Sequence, residues 1–114
     1  MSQVAYKILT ADQWAAFRGA GAFDGAPIDL ADGYIHLSTE DQWDETAQKH
    51  FVGQSDLILA EVRLGDLDDV RWEPSRGGQL FPHLYGVLPM AAVGVVMAFD
   101  VDAAGGVSVL RAAS

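Results

Sequence analysis

A chain of 114 residues, half of them hydrophobic, is long enough to bury one core and short for two. Sixteen acidic side chains against seven basic ones leave a formal charge of -9, which repels phosphate backbones and makes nucleic acid an unexpected partner. Cysteine is absent, which excludes disulfides and thiolate metal sites, and no apolar run approaches the roughly 18 residues of a membrane span. The first residues lack a basic segment followed by an apolar one, so no secretory signal is read and a cytoplasmic single domain over 1–114 is expected.

Val4 to Leu9 reads as a strand. Thr10 then caps a helix, with Gln13 in the capping-box position and Trp14 and Phe17 on the buried stripe. Gly19 and Gly21 end it. Ala22 to Asp32 reads as a loop punctuated by Gly25 and Pro27, placed just before the central strand to rim a cleft. Its carboxylates Asp24, Asp29 and Asp32 are either on that rim or, the favoured reading, ordinary turn residues. Gly33 to Thr39 combines a turn, a short strand and a helix cap. Strand alternation puts Tyr34, His36 and Ser38 on one face and Ile35 and Leu37 on the other, so the apolar pair anchors the strand while the polar trio faces a cleft.

Thr39, with Gln42, caps a second helix over roughly residues 40–50, with Trp43, Ala47 and His50 or Phe51 at helical spacing. Asp56 to Leu64 is the longest strand candidate and apolar on both faces at its start, hence central. Glu61 marks where it emerges. Val70 to Glu73 is a short extended stretch, with Trp72 read as core and Arg71 paired to Glu73 along one face. Ser75 to Gly78 is the most flexible-looking segment. Pro82 to Gly86 is compact and carries His83 and Tyr85, while Val93 to Val101 and Val107 to Leu110 form a hairpin about Ala103 to Gly106.

The chemistry-bearing candidates are few. His36, ordered between apolar neighbours, is the first choice for proton transfer. Ser38 shares its face. His83 and Tyr85 repeat the two-residue spacing and suit hydrogen bonds to a ribose or phosphate. Arg76, followed by Gly77 and Gly78, suits an anion-binding concavity at the cleft rim. The three histidines show no ligand-pair spacing and the carboxylates no calcium-loop spacing, so no metal site is expected. These residues by themselves support a small α+β domain with a polar cleft.

Tyr6-Lys7-Ile8, Trp14, Phe23, Gly33-Tyr34-Ile35-His36-Leu37-Ser38, Gly53, Asp56-Leu57, Trp72-Glu73 and Phe81-Pro82-His83-Leu84-Tyr85-Gly86 together resemble the bacterial family called domain of unknown function 952, over roughly residues 4 to 101. That family is similar in fold to the ADP-ribosyltransferases, with the RNA 2'-phosphotransferases as the nearest pattern. Their His-Val-His-Leu-Ser block has Tyr34-Ile35-His36-Leu37-Ser38 in its place here, keeping the second histidine and the serine. Their first-strand His-Gly-Thr is replaced by Tyr6-Lys7-Ile8-Leu9. The resemblance implies an ADP-ribosyltransferase-like split, mainly antiparallel sheet with a cleft and two short helices. It also implies a phosphate- or ribose-containing small ligand, such as a dinucleotide or ADP-ribose. The alternative is a non-catalytic protein-interaction domain on the same fold.

Overall fold

The structure is a computed structural model. It describes residues 3–113, apart from the side chains of Arg76 and Leu110. In chain order the elements are β1 (Val4–Leu9), α1 (Ala11–Ala20), β2 (Ala22–Phe23), α2 (Pro27–Asp32), β3 (Ile35–His36), α3 (Trp43–His50), β4 (Leu57–Arg63), β5 (Val70–Pro74), β6 (Leu80–Leu84), β7 (Leu88–Pro89), β8 (Val93–Val101) and β9 (Val107–Ala112). Short 3-10 turns occupy Leu64–Asp66, Arg76–Gly78 and Met90–Ala92.

The apolar runs decide the layers. β4 carries buried side chains on both faces and lies inside a four-stranded sheet of order β1-β4-β8-β9. One face of that sheet, through Leu9, Ile58 and Val62, packs on Trp14 and Phe17 of α1 and on Ile35, Leu37 and Leu84. The other face, through Ile8, Leu59 and Phe99, packs on Ala47 and Trp43 of α3. A second sheet has the order β3-β6-β5, and β2 pairs with β7. All these pairings are antiparallel. The two larger sheets meet where Tyr6 N–H donates to the Ser38 carbonyl at 2.7 Å and Ser38 N–H to that of Tyr6 at 2.9 Å. No helix among the described residues is long and apolar enough to cross a membrane.

Three α-helices are present among the described residues where two were expected. The segment read as a loop, Ala22 to Asp32, holds β2 and α2. Pro27 stands in the first turn of α2, where its fixed φ suits the helix and its missing N–H costs nothing. Asp29 accepts the Ala26 N–H at 2.7 Å, and Gly33, at φ 86°, ends the helix by donating to the Asp29 carbonyl at 2.8 Å. α1 has the expected capping box, Thr10 and Gln13 exchanging bonds of 2.9 and 3.1 Å. α3 starts later than expected. Thr39 to Gln42 forms a turn closed by the Gln42 side chain on Thr39 N–H at 3.0 Å, and the regular helix begins at Trp43. Trp72, read as core, is 42% exposed, because β5 is the edge strand and its outer face has no covering layer.

Candidate functional site

The turn ending α2 aims β3 into the middle of the molecule, and β6 pairs with it so that His36 lies directly opposite His83. Their rings are 5.7 Å apart between centroids. Tyr34 completes the group, stacked on His83 at 4.0 Å and 23° and tilted against His36 at 4.7 Å and Tyr85 at 5.3 Å. The two sequence blocks with polar residues two apart are therefore brought together on one face of the three-stranded sheet.

Each histidine is held by acid. Asp29 is buried beneath His36 and acts as a hub. Its carboxylate lies 2.6 Å from His36 Nδ1, accepts the His36 backbone N–H at 3.1 Å, and pairs with Lys7 Nζ at 2.9 Å. Lys7, 7% exposed in its side chain, also donates to the His36 carbonyl at 3.1 Å. Burial pushes the Asp29 carboxyl up. The His36 bond, the Lys7 charge and two backbone N–H donors outweigh it and bring the pKa down to about 2. Burial lowers the Lys7 ammonium, with Asp29 opposing that shift. The outer nitrogen of His36, Nε2, lies 2.9 Å from Asp32, the half-exposed last residue of α2. A neutral imidazole has one N–H and can donate to only one of these carboxylates at a time.

His83 Nδ1 lies 2.8 Å from Glu73 Oε1, and the Tyr85 hydroxyl donates to the same oxygen at 2.7 Å. The Tyr85 bond first and the His83 bond second hold the Glu73 carboxyl below its ordinary value, and the Glu73 bond in turn raises the Tyr85 phenol. Arg71 does not take Glu73 as its main partner. Its guanidinium makes a two-toothed pair with Asp69 at 3.1 Å and lies over the Tyr85 ring at 4.1 Å.

A cleft of about 690 Å³ opens between the sheets, lined among others by Lys7, His36, Ser38, Lys49, Phe81 and His83. Ser38 is buried at the cleft wall, its Oγ 3.2 Å from Thr46 Oγ1 on α3. Tyr85 joins the ring cluster and is not among the cleft-lining residues. Ser75 reaches the cleft next to the loop of Arg76, whose side chain lies outside the described residues. The site also contains residues that the sequence reading did not assign to it. Lys7 is hidden in an ordinary strand alternation, and Glu73 is two residues from a basic partner that turned elsewhere. Asp29 and Asp32 resemble turn carboxylates, and only the Pro27 to Gly33 spacing marks the short helix that carries them.

No curated protein matches the chain. Among solved structures it is similar to the crystal structure of protein CC0527 from Caulobacter crescentus, with 45% identity, a TM-score of 0.86, and 92% of this chain and 93% of that one covered. A double mutant of the same protein gives 44% identity, the same TM-score and the same coverage. Its solution structure gives 47% identity, a TM-score of 0.76, and 90% and 89% coverage. The family described as "Protein of unknown function (DUF952)" matches residues 8–96, and the chain belongs to that family.

Proposed function

We propose that this domain binds a small molecule bearing phosphate and ribose groups, of the ADP-ribose or dinucleotide class, in the cleft between its two larger sheets. The observation that carries the reading is that His36 and Ser38 from one polar block and His83 from the other line one cleft of about 690 Å³, inside the range of roughly 300–1,000 Å³ usual for small-ligand sites. Its wall is chemically divided. Ile8, Pro27, Ile28, Phe51 and Phe81 offer an apolar side suited to a flat base. Lys49 brings positive charge to a protein that is otherwise strongly acidic, whereas the charge of Lys7 is taken up by Asp29. The Lys49 ammonium is 3.9 Å from Glu45 and half-exposed, a loose pair that a phosphate can displace. Two antiparallel sheets split about a cleft also support kinship with the ADP-ribosyltransferase architecture. His36, Ser38 and His83 are the residues assigned to ligand contact, with Arg76 at the rim and Tyr85 behind the cleft wall as a partner of Glu73. His36 is offered to the ligand through Nε2 once Asp32 moves aside.

A second reading, a non-catalytic interaction domain on the same fold, is favoured by one feature. Trp72 and Leu80, 42% and 51% exposed, share a face at the edge of the three-stranded sheet. Calorimetric titration with ADP-ribose, a dinucleotide and inorganic phosphate separates the two. Binding that Lys49→Met and Arg76→Ala each weaken by about 1.5–3 kcal/mol, roughly ten- to over a hundredfold, supports the ligand site. No heat from the wild type at millimolar ligand moves the weight to the interaction domain.

A further inference from the structure

We propose that His83 Nε2 is the proton-accepting atom of the cleft, with Glu73 as its positioning residue, and that it receives a ribose hydroxyl of the bound ligand. This rests on the ligand reading above and adds the ligand's orientation, hydroxyl end toward His83 and phosphate toward Lys49.

The argument starts from the tautomer. A carboxylate oxygen accepts and cannot donate, so Glu73 Oε1 at 2.8 Å from Nδ1 selects the ring form with its proton on Nδ1. The lone pair is then on Nε2. That nitrogen has no partner among the described residues. Among the described residues Trp14 Nε1 is the buried side-chain polar atom left without a partner, and His83, 2% exposed, lines the cleft. A narrowly open acceptor in a cleft wall calls for an O–H donor.

The ring is also fixed in place. Tyr34 covers one of its faces. The Tyr85 hydroxyl shares Glu73 Oε1 and prevents that carboxylate from swinging away. Tyr85 is itself covered by Arg71, which Asp69 grips with two bonds. Five side chains, Tyr34, Glu73, Tyr85, Arg71 and Asp69, thus brace one imidazole directly or in turn, an arrangement suited to a group that must present one atom in one direction. His36 differs, since both of its ring nitrogens already face carboxylates.

The test is long-range proton–nitrogen correlation NMR on the full chain, with ADP-ribose as the probe and calorimetry alongside. His83 is expected in the Nδ1–H form, with an Nε2 resonance that moves on adding ADP-ribose. Glu73→Gln, at a partly exposed position that leaves the fold intact, is expected to shift the ring toward the Nε2–H form and weaken ADP-ribose several-fold. An Nε2–H tautomer in the wild type overturns the proposal. Calorimetric binding with a silent His83 Nε2 overturns it while leaving the ligand reading standing. Absence of binding overturns both.

Discussion

Lys7 and Asp29, 22 residues apart in sequence, form a buried ion pair at 2.9 Å that fastens the first strand to the second helix. Two charges out of water are held there only because each has further partners, the His36 carbonyl for Lys7 and the Ala26 and His36 N–H groups for Asp29. Removing one partner strands the other. Asp29→Ala is expected to cost about 3–5 kcal/mol of unfolding free energy in urea titration. A loss under about 1 kcal/mol would show that the pair contributes little beyond ordinary surface pairing.

The same carboxylate sets an acid limit. Its pKa is about 2 in the folded protein against 3.8 ordinarily, so the fold prefers the ionised form. That contribution is complete above the ordinary value and is lost as pH falls from about 4 toward 2. A shift of this size amounts to about 2 kcal/mol. Urea midpoints measured down through this window should fall in the wild type. In Asp29→Asn, which has no such proton to bind, the fall should be shallower. Parallel curves would remove Asp29 from the account.

Gly33 stands at φ 86° with open space where a Cβ would go. Gly33→Ala should therefore cost only the left-handed backbone penalty, about 1–2 kcal/mol. Thermal melting measures it. A neutral outcome would mean that the turn relaxes to another conformation and takes β3 with it.

Phe17 is 1% exposed and packs between Trp14 and Phe23, with ring centroids 5.6 Å away on both sides. Phe17→Ala should open a cavity and cost about 3–5 kcal/mol in chemical denaturation. The backbone of α1 should keep its capping box, visible as unchanged helical circular dichroism below the transition.

Asp32 occupies the position beside His36 Nε2 that an anionic ligand group would take. Asp32→Asn should strengthen inorganic phosphate binding about two- to fivefold, the scale of one half-exposed charge contact. Asp24→Asn, an exposed carboxylate outside the cleft lining, is the control for net charge. Equal gains from both variants would show a general electrostatic effect.

The strand pattern and the two polar blocks were legible because alternation at two residues survives in almost any strand context. His36 and His83 each advertise their face, and the register that sets them opposite follows once the strands pair. The partners that hold them were not legible. Asp29 precedes a glycine turn and follows a proline, the neighbourhood of an ordinary surface bend, and its burial is decided by Lys7 approaching from another strand. Glu73 was visible only as a neighbour of Arg71, and the competition that Asp69 won depends on a loop conformation with no local signature. Trp72 was misplaced for a related reason, since composition gives no sign of which strand ends a sheet.

The seam between the two larger sheets, formed at Tyr6 and Ser38, gives the molecule a soft direction. Each sheet is stiffened internally by its own ladder, whereas the junction places two backbone bonds at one residue on each side. Twisting one sheet against the other changes the volume of the cleft while leaving both ladders whole, so the site should be the most compliant part of a well-packed protein. The amide protons of Tyr6 and Ser38 are then natural reporters of that breathing, exchanging with solvent sooner than those in the interior of β4.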